Sequence, residues 1–222
     1  MAVKPVPRRF YRRDPRDVAP ELLNKLLVRG HRVARIVEAE AYVGSIDPGS
    51  HAFKGMTNRN ATMFGPAGHL YVYFTYGMHW CSNAVCGDEG VGLAVLLRAA
   101  SPLSGQEEMR ANRGPLAGRD RDLCSGPAKL CQAFGIDGAF DGADVVKGDR
   151  GVVIGDDGTP PPTSPGVSRR VGLSLGHGDE HEWRWFVAGD LNVSRVNPGK
   201  PVDRTKRTRP RGGQGPSQPG LT

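Results

Sequence analysis

RIVEAEAYVG, residues 35–44, sets two carboxylates and an aromatic at alternate positions in a run of Val, Ile and Ala. As a strand over 33–43, ended by Gly44, its period of two puts Glu38, Glu40 and Tyr42 on one face. Val37, Ala39, Ala41 and Val43 then form the apolar face. Two readings compete. The segment is either an edge strand with a solvated polar side, or a strand that turns an acid and an aromatic into a cleft.

Working outward, residues 1–16 are basic and proline-punctuated, an arm that Phe10 and Tyr11 would anchor. The spacing of Leu22, Leu23, Leu26 and Leu27 predicts a helix over 17–27, stopped by Gly30. Residues 45–68 form a long polar loop broken by Gly and Pro. It carries His51, Phe53, Lys54, Arg59, Met63 and Phe64, residues that suit function better than disorder. Residues 69–79 (HLYVYFTYGMH) are β-prone, with Tyr71, Tyr73 and Thr75 on one face and Leu70, Val72, Phe74 and Tyr76 on the other. The Tyr76-Gly77 pair suits a turn, and 80–85 would return as the hairpin partner. An apolar strand over 92–99 ends in Arg98, which needs a carboxylate partner if buried. Helices are predicted over 106–113 and 126–134, and strands over 145–154 and 183–187. Residues 155–166 read as a solvent loop.

A chain of 222 residues suits one domain with a sizeable core. No run approaches the roughly 20 apolar residues of a membrane span. The N-terminus has no apolar core of a secretory signal, so a cytoplasmic location is expected (on the nucleoid in a bacterium, nuclear in a eukaryote). Cys81, Cys86, Cys124 and Cys131 lie four and six residues apart within each pair, unlike a zinc knuckle, and read as reduced structural thiols. His177 and His181 have helical spacing, but the glycine between them argues against a metal pair. The net charge of +7 is uneven: residues 1–17 carry +4 and 200–222 carry +5, which leaves −2 for the middle. Basic ends attract phosphate without locating a groove. From Pro198 onward the composition predicts a disordered tail.

No GxxxxGK[ST], strand-linked GxGxxG, GxSxG or HExxH motif occurs, so nucleotide hydrolysis, dinucleotide chemistry, serine hydrolysis and zinc proteolysis lack support. What remains is an acid-bearing strand, a His-containing loop, a tyrosine hairpin, a strand-end Arg and basic termini. RIVEAEAYVG, His51, RNATMFGPAGHLYVYFTYGMHWCSN, VLLRAASPL and SGPAKLCQAFGI, in this order and spacing, resemble the alkylpurine (3-methyladenine) DNA glycosylases of the mammalian alkyladenine type. The resemblance spans about residues 10–195.

That resemblance implies base flipping into a pocket, with Tyr76 at the hairpin tip filling the gap in the duplex. It implies a base pocket of Tyr42, His51, Tyr73 and Asn83, with Asn83 excluding the 2-amino group of normal guanine. Glu40 would be the general base that activates water for attack on C1′, and Glu38 a structural acid. Arg98 would hold Glu40 ionised or contact a phosphate. Arg59, Met63 and Lys129 are candidates for the DNA backbone. No cofactor, metal or protein partner is implied, and the enzyme would act as a monomer without strand cleavage. His79 and Trp80 depart from the aromatics of the mammalian relatives, which bears on lesion range.

The expectation is an α+β fold: a single domain with a curved, mainly antiparallel sheet flanked by helices, and a protruding β-hairpin. A basic arm (1–16), a glycosylase domain (17–199) and a basic tail (200–222) divide the chain. The expected partner is double-stranded DNA with damaged bases, such as 3-methyladenine, 7-methylguanine and, further afield, hypoxanthine. Two alternatives stand beside it: a non-catalytic nucleic-acid-binding module built on the hairpin, and an RNA-modifying enzyme, which the missing cofactor loop disfavours. Glu40 discriminates, because binding a polyanion gains nothing from a nearby carboxylate.

Overall fold

The computed structural model describes residues 3–115 and 117–194. The disordered tail expected from Pro198 onward lies outside them. The strand read from 35–44 is β3 (Arg32–Val43), and it runs through the middle of the sheet. Along one side it pairs with β6 (Leu93–Ser104). Along the other it pairs first with β2 (Leu26–Arg29) and then, over Glu38–Glu40, with β9 (Arg184–Phe186). Both acids are fully buried. The edge-strand reading is therefore overturned: neighbours on both sides satisfy the backbone, and no polar face meets water.

Beyond β6 the sheet continues through β5 (His79–Cys86) to β4 (Leu70–Thr75). Beyond β2 it continues through β7 (Val152–Asp156) to β1 (Lys4–Pro5), while β8 (Gly166–Ser168) pairs with β9. Every pairing is antiparallel. The helices are α1 (Arg8–Tyr11), α2 (Pro15–Leu22), α3 (Gln106–Arg113) and α4 (Pro127–Phe134). Val18 and Leu22 of α2 and Leu130 and Phe134 of α4 join Ile36, Ala39, Ala41 and Leu97 in the main core. The fold is α+β, a single domain with a curled antiparallel sheet and a protruding hairpin, as expected.

Four details depart from the sequence reading. The helix predicted over 17–27 ends at Leu22. Leu23 is extended, Asn24 turns at φ 69° and donates to the Ile36 carbonyl, and Leu26 and Leu27 belong to β2. The four leucines satisfy helical spacing, yet they bury themselves from two elements. Over 145–154, residues 145–151 form turns, because Asp144 accepts from the Val146 and Lys147 amides, and strand begins only at Val152. In β3, Ile36 joins the main core while Val37 does not. The register passes from Ile36–Ala100 to Glu38–Ala99 and then Ala39–Leu97, so Val37 and Arg98 are each left unopposed. These two bulges shift the alternation. Lastly, Tyr76 leaves the face of Phe74 and joins the face of Tyr73, for the reason given below.

The N-terminal segment packs on the body. Lys4 and Pro5 pair with β7, and Tyr11 is fully buried. Arg8, Arg12, Arg13 and Arg16 all engage carboxylates, of Asp144, Asp88, Glu21 and Asp14 respectively. The basic charge of this segment is thus largely balanced where it sits.

Candidate active site

One row of residues crosses four strands in register: Glu40 of β3, Leu96 of β6, Asn83 of β5 and Tyr71 of β4. Laterally paired residues point to one face, so this row forms a floor opposite the helices. The Arg98 bulge sends its guanidinium onto the same face, between the two acids. Nε donates to Glu38 Oε1 at 2.8 Å, and Nη1 lies 3.4 Å from Glu40 Oε1. Buried there, Arg98 pairs with both acids.

Glu38 is saturated. Its Oε1 also accepts from Arg184 Nε at 2.7 Å and from Ser194 Oγ at 2.7 Å, and Oε2 accepts from Ser194 N at 2.6 Å. Burial pushes its carboxyl pKa up, but Arg98, Arg184 and the Ser194 bonds outweigh that and hold it below the usual range. Glu40 is held more lightly. Tyr42 Oη donates to Oε2 at 2.9 Å, and the Val171 amide donates to Oε1 at 2.8 Å. The two acids of the motif thus occupy different environments, one locked and one adjustable.

Above this floor lies a cavity of about 610 Å³, lined among others by Tyr42, His51, Tyr73, Asn83 and Arg98. That is ample for a flipped nucleobase. His51 and Tyr73 meet edge to face at 4.5 Å, and His51 Nδ1 lies 3.0 Å from Tyr71 Oη. Burial pushes the Tyr71 phenol up to about 12, and burial raises the Tyr42 and Tyr73 phenols as well. Desolvation, followed by nearby Arg59, lowers the pKa of the His51 imidazole. These three tyrosines and His51 therefore present neutral rings. Buried Asn83 donates from Nδ2 to the Tyr71 carbonyl at 3.2 Å.

At the rim, the β4–β5 hairpin turns through Tyr76 and Gly77, closed by Met78 N–H donating to the Thr75 carbonyl. Both central residues have positive φ, 52° for Tyr76 and 66° for Gly77. Hairpins favour this turn, but Asn or Asp normally takes the first position, not tyrosine. The left-handed residue breaks the strand alternation, so Tyr76 swings to the cleft side and lines it while 72% exposed.

The remaining candidates divide. Arg59 is exposed at the cleft and donates to the Phe74 carbonyl. Met63 lines the cleft, but at 3% exposure it packs with Ala52 and Val85 and presents no surface to a DNA backbone. Lys129 donates to Ser125 Oγ in the first turn of α4, whose Pro127 reaches the cleft. Tyr71 and Val171 were missed. The Tyr71–Tyr73 alternation was a signal for the first. The second acts through its backbone amide, and no side-chain pattern marks it. All four cysteines are free and buried. Among the described residues no three His, Cys, Asp or Glu gather as a metal ion requires, and no helix is long and apolar enough to cross a membrane.

The model of the methylpurine-DNA glycosylase family matches residues 9–191. This chain belongs to that family. A chain from Burkholderia lata, provisionally named 3-methyladenine DNA glycosylase, is 55% identical over 190 residues, covering 85% of this chain and 90% of its own. Similarly named chains from Streptomyces avermitilis and Chlorobaculum tepidum are 46% and 41% identical, covering 92% and 89% of this chain and 96% and 94% of their own. As a member of this family the protein is a DNA glycosylase, a hydrolase acting on N-glycosyl bonds, and its substrate is DNA.

Proposed function

We propose that the protein excises cationic alkylated purines, 3-methyladenine and 7-methylguanine foremost, from duplex DNA as the first step of base excision repair. The observation that carries this reading is Glu40, a buried carboxylate bonded by Tyr42 and flanked by Arg98 and the Val171 amide, three groups that line an aromatic cleft although Glu40 itself does not. Tyr76 enters the duplex in place of the extruded nucleotide, offsetting part of the few kcal/mol that unstacking costs. The lesion lies against the rings of Tyr42, His51 and Tyr73, where cation–π attraction adds about 1–2 kcal/mol to stacking.

One water takes a place beside Glu40, between Arg98 and the Val171 amide. Its oxygen bonds to C1′ as the bond from C1′ to the purine nitrogen breaks, and its proton passes to Glu40. The bonding electrons return to the purine, so a cationic base leaves neutral and needs no acid. A neutral base would need a proton. The raised Tyr42, Tyr71 and Tyr73 phenols and the lowered imidazole of His51 are poorly suited to supply one. Hypoxanthine is therefore the weaker substrate. The protein acts as a monomer, with the DNA of the cytoplasm or nucleoid.

The test is a labelled duplex carrying one 7-methylguanine. Abasic sites should form with the wild-type protein and fall by orders of magnitude in Glu40→Gln, while lesion binding persists. Release that is undiminished in Glu40→Gln would remove Glu40 as the base. Lesion binding without any release by the wild type would favour the non-catalytic module.

A further inference from the structure

The wall behind Tyr42 is built with more charge than a simple support requires. The guanidinium carbon of Arg170 lies over the Tyr42 ring, 4.7 Å from its centroid, and over the ring of Trp183 at 5.0 Å. Its side chain is wholly buried, and so is that of Asp47, which pairs with it bidentately at 2.5 and 2.7 Å. The Ala41 carbonyl also accepts from Nη1 and the Gly178 carbonyl from Nη2, while the buried Nε has no hydrogen-bond partner among the described residues. Asp47 is fixed in turn by the amides of Val43 and Gly49. Glycines close over the pair: a Cβ on Gly178 would stand 2.6 Å from Arg170 Nη2 and 2.8 Å from Asp47 Oδ1.

A base stacked on the cleft side of Tyr42 would lie roughly 8 Å from that guanidinium, one ring away. At an effective dielectric of about 20, a lone positive charge there would repel a cationic base by tenfold or more in affinity. Asp47, in direct contact, cancels it. A neutral aromatic or aliphatic backing would have held Tyr42 in place without introducing the problem. Resting on the cationic-purine reading above, we infer that the Asp47–Arg170 charge balance behind Tyr42 sets the preference between cationic and neutral purines. Both are positioning residues, because neither touches the base.

The inference is tested with two duplexes, one containing 7-methylguanine and the other its neutral isostere 7-deaza-7-methylguanine. Affinities are measured in a Glu40→Gln background so that no base is lost. Asp47→Asn leaves the arginine unbalanced and should lower the cationic-to-neutral affinity ratio about tenfold. Arg170→Gln leaves the carboxylate unbalanced and should raise that ratio several-fold. Its surviving Val43 and Gly49 amide bonds favour folding even if the first variant fails. The double variant should return the ratio to within about threefold of the parent. A ratio that stays constant while both affinities fall together would show a merely structural wall and overturn the inference. Failure of the wild type to release 7-methylguanine would instead overturn the reading of the activity.

Discussion

Glu38 and Glu40 are two residues apart on one strand, yet they answer acid and substitution differently. Glu38 neutralises two buried arginines, so Glu38→Gln should cost about 3–5 kcal/mol, because it leaves Arg184 without its carboxylate partner and Arg98 with Glu40 alone. Its folded pKa lies below the ordinary 4.5. The stabilisation it gives is therefore complete above about pH 4.5 and is lost as the pH falls through the lower folded value. Chemical denaturation from neutral to acid pH should show that loss, and Glu38→Gln should flatten it. His51 supplies the other pH test. Its pKa is lowered from 6.5, so the ring stays neutral at neutral pH. Acidification below its lowered value should weaken binding of 7-methylguanine through like-charge repulsion, and His51→Phe should remove that dependence. Binding that is insensitive to acid in both proteins would take the ring out of cation recognition.

The hairpin makes its own prediction. A tyrosine at φ 52° holds a conformation that costs an L-residue with a bulky side chain about 1 kcal/mol, and asparagine tolerates it far better. Tyr76→Asn should therefore leave thermal stability equal or slightly higher, while weakening lesion-duplex binding by about tenfold. Loss of stability together with binding would mean that Tyr76 is a packing residue of the turn. The long loop over β6 depends on a glycine of a different kind. Gly92 has φ +76°, and a Cβ there would stand 2.7 Å from Ala52 and 2.8 Å from Phe64. Gly92→Ala should lower stability by about 1–3 kcal/mol, read by denaturant melts, and loosen the loop that carries His51.

Over the whole molecule, charge is divided between paired and unassigned regions. Arg8, Arg12, Arg13 and Arg16 meet carboxylates, whereas residues 200–222 carry +5 in sequence. Removing residues 200–222 should lower DNA affinity at low salt and shrink the slope of log affinity against log salt, with little effect at high salt. Substituting Arg12 and Arg13 should change that slope much less, since their charges are already balanced. An equal change in the two slopes would show that the N-terminal pairs open on DNA.

The local reading carried far. Alternation located the strand bearing Glu38, Glu40 and Tyr42, turn chemistry placed the tip at Tyr76-Gly77, and the helices read over 106–113 and 126–134 form as α3 and α4. Those features depend on backbone preference and period, which short stretches encode. Arg98 could be expected to find an acid, because a buried guanidinium demands one. What the chain alone left open depended on partners distant in sequence. The strand pairings on both sides of β3 bury its acids, and paired bulges at Val37 and Arg98 aim the guanidinium between them. Ser194, Arg184 and Val171 come from loops and strands more than a hundred residues away, and their contacts leave Glu38 more heavily bonded than Glu40. Sequence determined which acids stand on the strand; tertiary packing decided how tightly each is held, because counter-charges and hydrogen bonds are shared out only when distant segments meet.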